Sequence, residues 1–261
     1  MKCAPPPTGR ILLDTPGRLC YNEKRNEKGG TSLKTNDYIK SLSLANPQIK
    51  FAPDCDHARL YEGFVCNLMH EKGINHPADY SGQSSIKLVC SQHPVGIDEY
   101  VSDPKEWEKK QRAYTREWTE YLNGETLPVK EIHVCSAVNQ KVFDALCCQR
   151  NLESLRIKWL QSKQIDRIVN LKNLKKLFLE RASSLTDIAP LTRLDNLEVL
   201  ILGETKKISD YSPLAELKKL KVLGICAYST STNTTIKVKD LDFISKMPCL
   251  EYVDFHDVRL I

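Results

Sequence analysis

The sequence lacks any long apolar run. No segment approaches the roughly 18 consecutive apolar residues that a membrane-spanning helix needs. The first residues, MKCAPPPTGR, also lack the apolar core of a secretory signal peptide. We therefore expect a cytoplasmic protein that does not bind a membrane.

The sequence also lacks the short motifs of the common enzyme families. It contains neither the phosphate-binding pattern G-x-x-x-x-G-K-[ST] nor the nucleophile pattern G-x-S-x-G. The zinc-protease pattern H-E-x-x-H and the dinucleotide fingerprint are missing as well. These absences favour a protein that is not an enzyme, so we predict no catalytic residue and no cofactor.

Concentrated charge of one sign is lacking too. The chain carries a net charge of +5, and the excess lies in residues 128–261, which hold 21 basic and 16 acidic side chains. Nucleic-acid binding needs a concentrated basic patch, and this small excess is spread over half of the chain. We expect no nucleic acid as a partner.

Cysteine is plentiful, with 10 residues, but its spacing is irregular. Without a secretory signal, this composition favours reduced thiols over disulfides. One block combines cysteine and histidine in short-spaced pairs: Cys55, His57, Cys66, His70, His76, Cys90 and His93. Such pairs can bind zinc, but no C-x2-C pair occurs and the spacing matches no zinc motif. We predict no metal ligand and keep a zinc-stabilised N-terminal half as an alternative.

A repeat dominates the second half of the sequence. The pattern L-x-x-L-x-L, with conservative replacements, occurs six times at steps of 23, 22, 23, 23 and 30 residues. The first positions of the six copies are Val129, Leu152, Leu174, Leu197, Leu220 and Leu250. Regular recurrence at this period indicates a solenoid of stacked units.

Each unit predicts one short strand and one short helical turn. The last core residues of the pattern alternate with outward residues, which is the period of a strand. In two units Asp187 and Asp210 stand where a side chain can cap a turn, and Pro190 and Pro213 suit its start. Because one unit cannot bury its leucines alone, neighbouring units must stack with their strands in a parallel sheet.

The pattern L-x-x-L-x-L, followed by (T/S)-D-x-x-P-L-x-x-L, resembles the leucine-rich repeat family. It is most similar to the short-repeat type found in internalins and in leucine-rich regulatory subunits of protein phosphatases. The resemblance covers residues 128–261. It implies an α/β solenoid with a parallel sheet on the concave face and short helices or 3-10 turns on the convex face. Protein binding on the concave face is the function it implies.

The sequence departs from the family pattern at three points. The usual Asn, three residues past the last core leucine, is replaced by Leu160, Ala182, Thr205 and Tyr228, so its hydrogen-bond ladder should be absent or replaced. A Ser/Thr-rich insertion, residues 228–237, stretches the fifth unit. No polar cap follows the sixth strand. We expect that end to be covered by a partner, by a second copy in a homodimer, or by the N-terminal region.

The first half of the chain is less regular. Residues 1–40 are rich in Pro, Gly and charge and are predicted to be a mobile segment, and residues 41–127 an irregular α+β region. That region ends in a predicted helix, 103–122, whose aromatic side chains share one face: Trp107, Tyr114, Trp118 and Tyr121. We expect this face to cap the first repeat. The alternative is that it stacks bases or docks a partner.

The outward strand positions define the predicted binding surface. In three neighbouring units they include the apolar residues Phe178, Val199, Ile201 and Val222. An exposed apolar centre with a charged rim matches the anatomy of a protein interface. The predicted partner-binding residues are Arg156, Lys158, Lys176, Phe178, Glu180, Val199, Ile201, Val222 and Tyr252. The alternative is that the N-terminal half or the insertion covers this surface.

These patterns predict a non-enzymatic scaffold that binds a protein partner on the concave face of a leucine-rich repeat. Two alternatives remain open. One is an adaptor or regulator with a zinc-stabilised N-terminal half, and the other is a small N-terminal enzyme domain that the repeats direct to its target. The fold alone does not decide among them, because function resides in sites.

Overall fold

The computed structural model describes residues 33–51, 73–74, 77–88, 104–227 and 235–261. The helices within these ranges are α1 (Leu33–Ala45), α2 (Pro104–Gly124) and α3 (Gln140–Leu146). The strands are β1 (Lys50–Phe51), β2 (Ser85–Leu88), β3 (Glu131–Val138), β4 (Ser154–Leu160), β5 (Lys176–Leu179), β6 (Val199–Gly203), β7 (Val222–Cys226), β8 (Ile236–Val238), β9 (Tyr252–His256) and β10 (Val258–Leu260). Short 3-10 helices lie at Pro77–Asp79, Asp166–Asn170, Ala189–Arg193, Ser212–Glu216 and Asp242–Lys246.

Eight of the described strands form one parallel sheet. Its order is β1-β9-β7-β6-β5-β4-β3-β2, and β8 pairs separately with β10. The six repeat strands lie side by side in the order of the sequence, and each of the first five is followed by a short helix or 3-10 turn. The predicted leucine-rich repeat solenoid is therefore confirmed.

The inward positions of the repeat form continuous columns across the sheet. Leu155, Leu177, Leu200 and Leu223 occupy the same register in four adjacent strands, and each is fully buried. Burying one leucine stabilises a protein by roughly 1.5–3 kcal/mol. A unit obtains this stabilisation only from its neighbours, which is why the pattern predicts the stacking so well.

The convex turns form as the Asp and Pro residues predict. The Ala189 amide donates to Asp187 Oδ1 at 2.8 Å, and the Ser212 amide donates to Asp210 Oδ1 at 3.0 Å. A proline occupies the first turn of both 3-10 helices. The chain is thereby turned back toward the sheet after each strand.

The usual asparagine ladder is replaced at its expected position. Leu160 and Ala182 are buried there as core residues. Thr205 is fully buried, and its hydroxyl forms a 2.7 Å hydrogen bond with the Tyr211 hydroxyl. Packing and one hydroxyl pair thus take the place of amide hydrogen bonds.

A different asparagine ladder lies just before the strands. In three units an Asn directly precedes the first core leucine, and its side-chain amide donates to a carbonyl of the preceding unit. These bonds join Asn151 to Leu127 at 2.8 Å, Asn173 to Arg150 at 3.0 Å and Asn196 to Lys172 at 3.0 Å. The recurring Asn-Leu pair in the sequence is the signal for this ladder.

The position after the first core residue alternates in charge along the sheet. From the first unit to the sixth it holds Lys130, Glu153, Lys175, Glu198, Lys221 and Glu251. Glu153 forms ion pairs with Lys130 at 2.9 Å and Lys175 at 2.8 Å, and Glu198 pairs with Lys221 at 2.8 Å. We call these six residues the charge ladder.

The C-terminal end of the solenoid is covered by α1 and β1. β1 extends the sheet beyond β9, with Lys50 opposite Tyr252. The Tyr38 hydroxyl donates to Asp242 Oδ1 at 2.8 Å and accepts from the Leu241 amide. The N-terminal region, one of the three predicted covers, therefore lies at this end, and the homodimer stays a prediction.

The other end of the solenoid is extended by β2, which pairs with β3. α2 packs against α3 in the first unit, and Trp118 and Leu122 of α2 are fully buried. The Trp118 and Tyr121 rings meet edge to face with centroids 6.1 Å apart. The Trp107 side chain, predicted on the same face, lies outside the described residues.

Gln149 joins α2 to the first repeat. Its Nε2 donates to the Leu122 carbonyl at 2.6 Å and the Glu125 carbonyl at 2.8 Å, and its Oε1 accepts from the Leu127 amide at 2.8 Å. The side chain is fully buried. Later units place apolar residues at this position: Leu171, Leu194, Leu217 and Met247. Gln149 is thus polar where later units are apolar, and it lies at the junction between α2 and the first repeat.

The predicted segment boundaries require one correction. α1 runs from Leu33 to Ala45 and so crosses the predicted end of the mobile segment at residue 40. The sequence LKTNDYIKSLSLA has neither proline nor glycine, which is why a helix can begin this early. The remainder of that predicted segment, residues 1–32, lies outside the described residues.

Candidate functional site

The outward side chains of the sheet form rows across the strands. The middle row follows the register from β2 to β9: Lys87, His133, Arg156, Phe178, Ile201, Gly224 and Asp254. The first row lies nearer the starts of the strands: Ser85, Glu131, Ser154, Lys176, Val199, Val222, Tyr252 and Lys50. These rows include most of the predicted partner-binding residues.

The middle row is not the exposed apolar surface that the sequence predicts. Phe178 and Ile201 are each only 1% exposed. A side chain on the open face of a sheet keeps one side in water unless other atoms lie on it. The prediction of an open apolar centre is therefore wrong for these two residues, and the alternative of a surface covered within the chain fits them.

Gly224 explains part of the burial of Ile201. A Cβ atom at Gly224 would lie 2.7 Å from Ile201 Cδ1, closer than such atoms approach in proteins. The isoleucine side chain thus occupies the space above the glycine. Because Gly224 in β7 has no side chain, Ile201 of the neighbouring strand β6 can pack over it in the middle row.

Arg156 and Glu180 bind each other beside the buried phenylalanine. Arg156 Nε donates to Glu180 Oε1 at 2.8 Å, and both side chains are largely buried, with 13% and 17% exposed. The guanidinium carbon lies 5.9 Å from the centroid of the Phe178 ring. These two predicted rim charges are therefore engaged within the molecule.

His133 continues the middle row as a neutral imidazole. Burial, reinforced by the charges of Arg156, Lys87 and Lys158, lowers the pKa of His133 to about 3. Its Nε2 lies 3.6 Å from the sulfur of Cys135, whose own pKa is raised by burial. A raised thiol pKa disfavours the thiolate, so this Cys/His pair does not resemble an activated nucleophile.

The first row retains partly exposed apolar side chains. Val199 and Val222 are half-buried in adjacent strands, and half-buried Tyr252 follows in the next strand. Exposed Lys176 and Lys50 lie at the two ends of this series. We call these five residues the valine strip. Four of them were predicted to bind a partner, and Lys50 was not.

Lys176 and Lys50 differ from the lysines of the charge ladder. Lys130, Lys175 and Lys221 each form an ion pair with a glutamate. Within the described ranges, the ammonium groups of Lys176 and Lys50 have no carboxylate at ion-pair distance. The valine strip is therefore an apolar series between two lysines that form no ion pair with a described carboxylate.

Sequence reasoning missed residues beyond the repeats and at the ends of the strands. Lys50 joins the strip through β1, and no local pattern indicates where a two-residue strand will pair. Exposed Arg181 has a φ of 46°, in the left-handed region, and its guanidinium lies 5.4 Å from the centroid of the Trp159 ring. Exposed Lys158, predicted as a contact, directly precedes Trp159 in β4.

The described residues test the expectations about metal binding and membrane spans only in part. The seven Cys and His residues of the predicted block all lie outside the described residues. Among the residues that the structure does describe, no three His, Cys, Asp or Glu side chains form a group that could hold a metal ion. Of the helices in the described ranges, none combines the length and apolar composition of a membrane span.

A cavity of about 610 Å³ lies away from the sheet, between α2 and the start of α3. Glu108, Arg112 and Arg116 of α2 line it together with Asn139 and Lys141. Arg112 pairs with Glu108 at 3.3 Å within the helix, and the Asn139 side chain caps α3. Glu108, Arg112 and Asn139 thus have partners within the chain, and none of the lining residues belongs to the predicted site.

A family model describing the leucine-rich repeats of R13L1/DRL21 matches residues 126–205. No curated protein sequence matches the chain. Among solved structures, an internalin, inlF, from Listeria monocytogenes is similar over 54% of this chain and 51% of its own, with 17% identity and a TM-score of 0.42. The chain thus spans about half the length of that internalin.

Two further solved structures are similar to parts of the chain. Internalin C2 from Listeria monocytogenes is 23% identical over 56% of this chain and 67% of its own, with a TM-score of 0.35. A leucine-rich repeat protein from Leptospira interrogans is 13% identical over 81% of this chain and 54% of its own, with a TM-score of 0.39.

Proposed function

We propose that this chain, a leucine-rich repeat protein, is an interaction module that binds a protein partner along the valine strip. The observation that carries this proposal is the partly exposed pair Val199 and Val222 between Lys176 and Lys50. Contiguous exposed apolar side chains flanked by charge match the anatomy of a protein interface.

The middle row is not part of the proposed contact surface. Phe178 and Ile201 are buried, so they cannot contact a partner directly while the face is covered. Their burial leaves Val199 and Val222 of the first row as the partly exposed apolar side chains of these strands. The partner-binding surface is therefore narrower than the one predicted from the sequence, and it lies closer to the charge ladder.

A photo-crosslinking experiment tests the proposal. A benzoyl-phenylalanine side chain is introduced at Val222 on the strip and, in a matched variant, at exposed Glu216 on the convex side. Lysate from the source organism is irradiated with each variant, and covalent products are identified by mass spectrometry. We expect a discrete protein product from position 222 and none from position 216.

The same experiment with an added Val199→Asp substitution supplies the decisive control. A charge on the strip should abolish the product from position 222 while leaving the circular dichroism spectrum unchanged, because Val199 is only half-buried. Equal products from both positions, or a product that survives Val199→Asp, would contradict binding along the strip.

A further inference from the structure

We infer that the partner presents an extended segment with an apolar centre and a carboxylate near each end, lying across the strands along the valine strip. This inference rests on the proposed function. It adds the chemistry of the partner to the location of the site.

The register of the sheet sets the length of this segment. Lys176, Val199, Val222, Tyr252 and Lys50 are successive partners in five adjacent strands. Adjacent strands lie about 4.8 Å apart, so four spacings separate the two lysine positions by about 19 Å. An extended chain advances about 3.3 Å per residue, so about six residues span the strip.

The two lysines of the strip indicate which charge the partner segment carries at its ends. The ladder lysines Lys175 and Lys221 already have glutamate partners, and their pKa values are raised by those hydrogen bonds. Lys176 and Lys50 have no such partner among the described carboxylates. A carboxylate of the partner can therefore form a charge-assisted contact at each end without displacing an existing pair.

The middle of the strip selects apolar side chains. Val199 and Val222 offer β-branched surface in adjacent strands, and Tyr252 adds an aromatic ring in the next strand. On one side of them lies the covered middle row, and on the other lies the charge ladder. The accessible apolar area is thus a narrow line, which fits an extended chain better than the broad surface of a folded domain.

Nucleic acid fits this strip less well than an acidic segment. A phosphate backbone is bound by several cationic side chains at once. The strip has only two lysines, and the side chains between them are apolar or aromatic and offer phosphates no favourable contact. Carboxylates at the two ends with apolar residues between them satisfy both features.

Selection from a random 12-residue peptide library displayed on phage tests this inference without knowledge of the natural partner. The full chain is immobilised, and enriched peptides are synthesised with a fluorescent label and titrated by anisotropy. We expect enriched sequences with two or three apolar residues flanked on both sides by Asp or Glu. The double variant Lys50→Gln/Lys176→Gln should bind them about tenfold more weakly, since two exposed charge pairs are lost.

The charge ladder provides the matched control. The variant Lys175→Gln/Lys221→Gln removes two lysines from the neighbouring row, and these lysines are paired within the protein. It should bind the selected peptides within about twofold of the wild type. Circular dichroism and thermal melting establish that both double variants remain folded.

Three results would overturn the inference: no enrichment, enriched peptides without acidic ends, or equal weakening by both double variants. These results can be distinguished from a result that refutes protein binding along the strip. If crosslinking through Val222 captures a partner whose binding is indifferent to Lys50→Gln/Lys176→Gln, the strip still binds protein, and only the acidic segment is refuted.

Discussion

The repeat units and the N-terminal elements are stabilised by different kinds of contact. Each repeat strand pairs with the strand of the next unit along the sequence, and its leucines complete columns begun by its neighbours. By contrast, β1 and β2 come from one region of the chain but pair with opposite edges of the sheet, β9 and β3. Local order in the sequence therefore specifies the solenoid but not its two ends.

The largest effect on the free energy of unfolding is expected when a buried leucine is shortened, and one leucine from each region is compared. Leu200→Ala removes a fully buried side chain from a column of the repeat, and we expect a loss of about 3 to 4 kcal/mol in the free energy of unfolding. Leu42→Ala removes a buried side chain of α1, and we expect α1 to open locally while the repeats stay folded, so the loss should be less than half as large. Urea denaturation measures both, and equal losses would show that the two regions unfold as one unit.

The second prediction concerns the junction between the regions. Gln149→Leu restores the apolar residue that other units have, but it leaves the Leu122 carbonyl, the Glu125 carbonyl and the Leu127 amide without their partner. We expect destabilisation of about 2 to 3 kcal/mol, because buried polar groups are costly to leave unpaired.

Exposed Gln161 supplies the matched control for this junction. Gln161→Leu makes the same chemical change without removing a buried hydrogen bond, so it should shift the urea midpoint very little. A neutral result for Gln149→Leu would mean that packing of α2, rather than the glutamine, joins the helix to the first repeat.

The sequence predicts the solenoid because each of its determinants is local and repeated. The columns that contain Leu177 and Leu200, and the turns capped by Asp187 and Asp210, follow from spacing alone. The Asn-Leu pair at Asn173 also recurs, although its ladder was not predicted. Repetition makes such signals visible in one sequence, since every unit must solve the same packing problem.

The candidate site is less predictable because its exposure depends on distant parts of the chain. The register placed Phe178 and Ile201 on the outward face correctly, but it could not show that they are buried. Likewise, Lys50 lies far from the repeats in sequence and reaches the strip only through β1. Spacing predicts which way a side chain points, whereas burial depends on contacts that no local pattern encodes.

The third prediction weakens the C-terminal cap without touching the repeat columns. Tyr38→Phe removes the hydroxyl that donates to Asp242 and accepts from the Leu241 amide. We expect the cap to lose about 1 kcal/mol of local stability. The loss should appear as faster hydrogen exchange of the amides at the cap, including Lys50, and not elsewhere. Tyr80→Phe removes a single bond to the Gln83 carbonyl and should leave those amides unchanged. Unchanged exchange in Tyr38→Phe would show that β1 pairing and the other contacts of α1, such as the bond between the Leu260 amide and Thr35, hold the cap.

The smallest effect concerns the charge ladder, which belongs only to the repeats. Hydrogen bonds from Lys175 and Lys130 lower the pKa of Glu153 from 4.5 to about 2. Because the folded-state pKa lies below the ordinary value, this carboxylate stabilises the fold above pH 4.5, and the contribution is lost as the pH falls toward 2. Glu153→Gln should therefore reduce the urea midpoint at pH 6 and have less effect at pH 3.

Glu251 ends the ladder and has no ion pair among the described residues, so Glu251→Gln should show a smaller dependence on pH. Salt should act in the same direction as acid, since exposed ion pairs are screened. If Glu153→Gln and Glu251→Gln respond alike to both, the alternation contributes no pairing energy. The repeats would then be held by their leucine columns and asparagine ladder alone.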